Sequence, residues 1–184
     1  MVDRERATGR GAPGRGTVSA VTTTDSYGSP DLTDRDVDRM AWTLAGLRIL
    51  AGVIWLANLA WKLPPNFGKD EPEGLLYSFN LAEEHAVIGP LRDLMHDVVI
   101  PHFTLFGWLV FGVELAAGVL LTLGFMTRLG GLLGTTQAII ITALIVQAPD
   151  EWLWTYVMLV ALNAVPLLAP TNARLSIDRL RRQR

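Results

Sequence analysis

The stretch "FGWLVFGVELAAGVLLTLGF", residues 106–125, is almost wholly apolar and carries a single carboxylate, Glu114, near its middle. Its length suits a membrane crossing, which takes about 20 predominantly apolar residues. An ionised carboxylate in hydrocarbon costs on the order of 3 kcal/mol on insertion scales, so such a residue faces a bundle interior and marks a candidate site. At 100° per residue, Gly107 and Gly118 fall within about 40° of Glu114, which places small residues and the carboxylate on one helix face.

Three further segments have the same character, so spans are expected near 41–61, 103–123, 129–148 and 152–170. Each is interrupted by polar residues: Arg48 and Asn58 in the first, Glu114 in the second, Gln137 in the third, Asn163 in the fourth. Half of the 184 residues are apolar, too many to be covered by the remaining polar sequence. The connections "GFMTR" and "PDE" are short, so neighbouring helices are antiparallel and the expected fold is an all-α, up-down four-helix transmembrane bundle. Gly130 and Gly134 form a G-x-x-x-G on the third span.

Residues 62–102 form the long connection, opening with the Pro/Gly-rich loop "KLPPNFGKDEPEG". Gly89-Pro90 then begins "LRDLMHDVVI", in which Leu91, Leu94, Met95, Val98 and Val99 recur at helical spacing. A short amphipathic helix along the outer membrane surface is expected there. Residues 1–40 contain no apolar run. They are neither a signal peptide nor able to bury enough surface to order, and a disordered cytoplasmic tail is expected. Residues 171–184, with "RLSIDRLRRQR", read as a basic cytoplasmic segment, either a helix on the anionic inner leaflet or a solvated charge run. Arginines near the span ends (Arg35, Arg39, Arg128, Arg174 and the C-terminal cluster) outnumber Lys62, Lys69 and Arg92 on the other side. That asymmetry predicts cytoplasmic termini.

The chain has no cysteine, which excludes disulfide exchange and iron–sulfur clusters within it, and with them a cysteine-dependent reductase of the vitamin-K type. His85, His96 and His102 lie in the outer connection or at its edge, so no haem and no metal site is expected. A net charge of −2 gives no pointer to nucleic acid. Trp42, Trp61, Trp152 and Trp154 sit at span ends as interfacial anchors, leaving Trp55 and Trp108 as interior ones.

Counting 1.5 Å per residue from the cytoplasmic edge puts Arg48, Glu114, Gln137 and Asn163 all at roughly 10–13 Å, one polar layer. Arg48 is the expected partner of Glu114, since a guanidinium–carboxylate fork is the strongest such pair. Gly52, Trp55 and Lys62 share its stripe, and Asn58 lies about 80° round. Two readings of the layer stay open. It is glue between helices, or it is a site that accepts a quinone head group or passes protons.

The stretch "GWLVFGVELAAGVLLTLGFMTRLGGLLG", with its glutamate, its glycine four residues on and its G-x-x-T-R turn, resembles the DoxX/DoxD-like family. "EWLWTYVMLVALNAVPLLAPTNARLSID" resembles that family's last span and tail, and Arg48 and Lys62 match the residues that open and close its first span. The chain departs from the pattern at Ala173, where the family usually has glycine before the arginine. The resemblance covers 41–180. It implies a four-span protein of the bacterial inner membrane, whose relatives include the membrane subunit of thiosulfate:quinone oxidoreductase and proteins linked to thiol or oxidative stress. It carries over Arg48, Lys62, Glu114, Arg128, Arg174 and Asp178 as candidate positions. Glu114 and Arg48 are then the candidate catalytic residues, and Arg48, Trp55, Lys62, Glu114, Gln137 and Asn163 a quinone pocket. Electrons would come from a partner protein or from substrate. The alternatives are a non-catalytic membrane scaffold for a soluble redox partner, or a proton-coupled carrier of small solutes.

Overall fold

A computed structural model describes residues 34–169. The described chain is helical, in the order α1 (Asp34–Asn58), α2 (Leu75–His85), α3 (Gly89–Leu94), a π-helical turn (Met95–Val99), α4 (Phe103–Leu123), α5 (Thr127–Ile145) and α6 (Leu153–Leu168). The expected tail before 34, the basic segment 171–184, Arg174 and Asp178 lie outside the described residues.

The four long helices form a ring in which α1 packs on α4 and α6, and α5 packs on α4 and α6. Contacts fix the directions. Gly52 meets Thr122 whereas Leu56 meets Gly118, so α1 and α4 run antiparallel. Gly131 meets Leu167 and Gly134 meets Asn163, so α5 and α6 do likewise. The result is the up-down bundle. One end carries residues 59–102 and the 146–152 turn and is called the loop-bearing end; the other carries the 124–126 turn. α1, α4 and α5 are long and apolar enough to cross a membrane. α6, at 16 residues, is a shorter apolar helix. Large apolar side chains such as Leu105, Leu109, Ile139, Val157 and Met158 are exposed on the outside of the ring. That outside is the surface a bilayer covers, and the chain is a multi-pass membrane protein in contact with lipid.

Two boundaries differ from expectation. α1 begins at Asp34 rather than 41, because Asp34 and Asp36 in its first turn complement the helix dipole and extend a polar, exposed turn beyond the apolar run. It also ends at Asn58. The backbone then closes i→i+3 bonds from Leu59, Ala60 and Lys62 to Leu56, Ala57 and Leu59. These turns carry Lys62 back over the bundle.

The long connection is a folded cap. Its second part is the expected helix, which passes from α3 into the π-helical turn and buries Met95 and Val99, whereas Leu94 and Val98 stay exposed. Its first part holds a helix not expected from the sequence, α2, with Leu75, Phe79 and Ala82 buried at i, i+4 and i+7. These residues join Phe67, Met95, Val99 and Phe103 in one core. The Val87 N–H donates to Ala143 O at 3.0 Å and fixes the cap to α5. Trp108, expected inside, is 52% exposed instead and stacks edge-on against Phe67 at 5.2 Å, on the rim of this core.

Candidate functional site

Glu114 is 0% exposed, and its partner is Lys62, not Arg48. Lys62 Nζ donates to both carboxylate oxygens, at 2.6 and 2.9 Å. The Asn58 amide lies 3.5 Å from Oε2, and the Gln137 side chain hydrogen-bonds the same carboxylate. A buried carboxylate thus receives an ammonium and two amides, from α1, from the turn after it and from α5. That set of donors lets a charged group sit inside a bundle.

Arg48 binds one level lower. Its Nη1 donates to Leu121 O at 2.6 Å and lies 3.5 Å from Thr122 O. The last carbonyls of a helix have no intrahelical donor. Gly124, in the left-handed conformation, and Phe125 satisfy Leu120 O. Arg48 supplies the next two, at the negative end of the α4 dipole. Side chains lean toward the N-terminus of their own helix, so Arg48 reaches toward the turn-bearing end, away from Glu114. Lys62, beyond the end of α1, leans back down to the carboxylate. Seven residues separate Glu114 from Leu121, about 10 Å along α4. The expected single layer is therefore two tiers, and Arg48 is a helix clamp.

Between the tiers, Trp55 Nε1 donates to Asn163 Oδ1 at 2.7 Å, and Asn163 Nδ2 donates back to Leu159 O at 2.9 Å. Gly134 makes room for this bond. A Cβ there would stand 2.9 Å from Trp55 Nε1 and would overlap Asn163 Oδ1. Gly134→Ala is therefore expected to lower stability by about 1–3 kcal/mol, the range for overpacking. Chemical unfolding in bicelles checks it, and an unchanged midpoint would mean the Trp55–Asn163 contact is dispensable.

Of the proposed pocket, the structure thus brings Lys62, Glu114 and Gln137 together. It sets Trp55 and Asn163 as a separate bonded pair and moves Arg48 out. Asn58 and Trp61 join the site unannounced: Trp61 Nε1 donates to Asn58 Oδ1 at 3.2 Å, and Lys62 Nζ lies 4.4 Å from the Trp61 ring centroid. Their spacing was the available signal, since Asn58, Trp61 and Lys62 fall at i, i+3 and i+4 at the end of one span. Arg128 is exposed in the first turn of α5.

The histidines stay on the cap. His96 Nδ1 pairs with Glu83 at 2.6 Å, and the hydrogen bond and charge of that carboxylate raise its pKa above the ordinary imidazole value. His102 is exposed and His85 lies 3.6 Å from Glu84. Among the described residues no group of three potential metal ligands occurs.

Among curated proteins and among solved structures nothing matches the chain. Residues 42–184 match the family pattern described as "TQO small subunit DoxD". That match takes in α1 from Trp42 onward, all of α4, α5 and α6, the Lys62–Glu114 pair and the Arg48 clamp, and the chain belongs to the DoxD family.

Proposed function

We propose that the chain is the membrane subunit of a thiosulfate:quinone oxidoreductase in a bacterial inner membrane, with the Lys62–Glu114 pair as its quinone-facing site. The observation that carries this reading is the buried carboxylate with three side-chain donors, one of them an ammonium. Such a set fits a quinone head group. Lys62 and Asn58 can donate to a carbonyl oxygen, the Trp61 ring offers a flat face beside them, and Glu114 can hold or release a proton. A quinone takes up two electrons and two protons on becoming a quinol. In this chain Lys62 and Asn58 would orient a carbonyl, and Glu114 would supply or accept a proton at that oxygen. The cap core over Phe67 and Phe103 would limit water at the loop-bearing end. Electrons would reach the site from a partner protein, for which the family description as a small subunit gives the support.

A second reading has its own observation. The pair is mutually satisfied and enclosed, as helix glue would be. Then the chain is a scaffold that anchors a soluble redox partner, and the charges fix helix register. Titration of the purified protein in nanodiscs with a short-chain ubiquinone or menaquinone analogue separates the two. Saturable binding, weakened roughly tenfold or more by Glu114→Gln with helix content unchanged, is the expected result. Absence of saturable binding in the wild-type chain leaves the scaffold.

A further inference from the structure

The surroundings of Glu114 differ sharply above and below it. Toward the turn-bearing end, Ala51, Trp55, Ala117, Leu121 and Ala138 form one buried apolar cluster. The helices touch there without gaps: a Cβ on Gly52 would meet the Thr122 backbone N at 2.6 Å and Gly118 O at 2.9 Å. Arg48 closes the last carbonyls of α4 beneath. Such close packing leaves little volume for water, and the polar side chains Asn163 and Arg48 in this half are bound to Trp55 and to the α4 carbonyls. Toward the loop-bearing end, the contacts of the carboxylate run outward through polar groups. Glu114 meets the half-buried Asn58, and Asn58 accepts from Trp61, which is 38% exposed. The backbone at this point is the unravelled end of α1, held by i→i+3 turns. Local opening is drawn from such weakly held ends.

We infer that the Lys62–Glu114 pair exchanges protons and small uncharged ligands with the loop-bearing face only, through a gate made by Asn58 and Trp61. Displacement of the Trp61 indole frees Asn58 Oδ1, and rotation of the amide uncovers Oε2 of Glu114. A ligand with a carbonyl acceptor can then take the donors the amide and ammonium present. The sidedness follows from the packing and holds whether the occupant is a quinone or a proton alone. Among the described residues it leaves no path across the bundle, which argues against a carrier.

The absence of cysteine permits a direct test, because a single introduced thiol reports alone. Asn58→Cys is reconstituted in proteoliposomes and treated with a membrane-impermeant methanethiosulfonate from one side at a time. Glu73→Cys marks the loop-bearing face and Arg128→Cys the opposite one. The expected result is labelling at 58 only from the face that labels at 73. Trp61→Ala is expected to accelerate it severalfold, because the half-exposed indole that lies beside position 58 is then absent. Labelling from the Arg128 face, or a rate indifferent to Trp61→Ala, overturns the gate. A second measurement keeps Asn58 intact. Modification of Glu114 by dicyclohexylcarbodiimide, followed by peptide mass spectrometry, is expected to be faster in Trp61→Ala than in wild type, and an equal rate overturns the proposal.

Discussion

Lys62→Met is expected to lower the unfolding free energy of the chain in bicelles by about 3–5 kcal/mol, the cost of leaving one partner of a buried ion pair alone. Lys62 is 4% exposed and Glu114 fully enclosed, so water does not take over the lost contact. The Asn58 and Gln137 amides remain as donors, but neither carries charge. Glu114→Leu exposes the mirror problem and is expected to cost a similar amount, because an ammonium then stands in the bundle without its carboxylate. The double variant Lys62→Met, Glu114→Leu is expected to recover most of either loss, since replacing a buried pair by apolar groups of similar volume is often near neutral. Equilibrium unfolding of the four species gives the coupling energy. Additive losses would show that the two charges act independently.

Arg48→Met is expected to give the second large effect, a loss of about 2–3 kcal/mol, and it discriminates between the tiers. Leu121 O loses a 2.6 Å charged donor and Thr122 O a weaker one, in a place where water does not replace them. The folded fraction of Arg48→Met is nonetheless expected to bind a quinone analogue with wild-type affinity, because no Arg48 contact with Glu114 or Lys62 exists to be lost. Unfolding and nanodisc binding, measured on the same preparation, check both halves. A preserved midpoint with abolished binding would return Arg48 to the site and contradict its role as a clamp.

The bundle was legible because membrane spans declare themselves by length and apolarity. The apolar run 103–123 coincides with α4, Phe103–Leu123. Glu114 stood out for the same reason, as the carboxylate in that span. Its partner was hidden by two effects that counting along a helix omits. Counting residues along a helix gives the depth of Cα positions, whereas Arg48 and Lys62 have long side chains that lean in a fixed direction relative to their own helix. Lean carries Arg48 away from the carboxylate and Lys62 toward it. Lys62 also lies past the end of α1, where only the i→i+3 turns bring it back. Helix α2 is hard to read from the sequence because it is short, 11 residues, and follows a Pro/Gly-rich loop directly. Its burial comes from partners at Phe67, Met95 and Phe103, distant in sequence. Trp108 faces outward, against the expectation, because a position on an apolar helix does not by itself say whether lipid or protein covers the side chain.

The most direct measurement is photolabelling of the wild-type chain in nanodiscs with an azidoquinone, mapped by peptide mass spectrometry and competed with unlabelled quinone. Label confined to the end of α1 and the facing turn of α4, around Asn58, Trp61, Lys62 and Glu114, and removed by the competitor, is the predicted result. Competable label at the turn-bearing end around Arg48 and Leu121, or none that unlabelled quinone displaces, would contradict a quinone site at the Lys62–Glu114 pair.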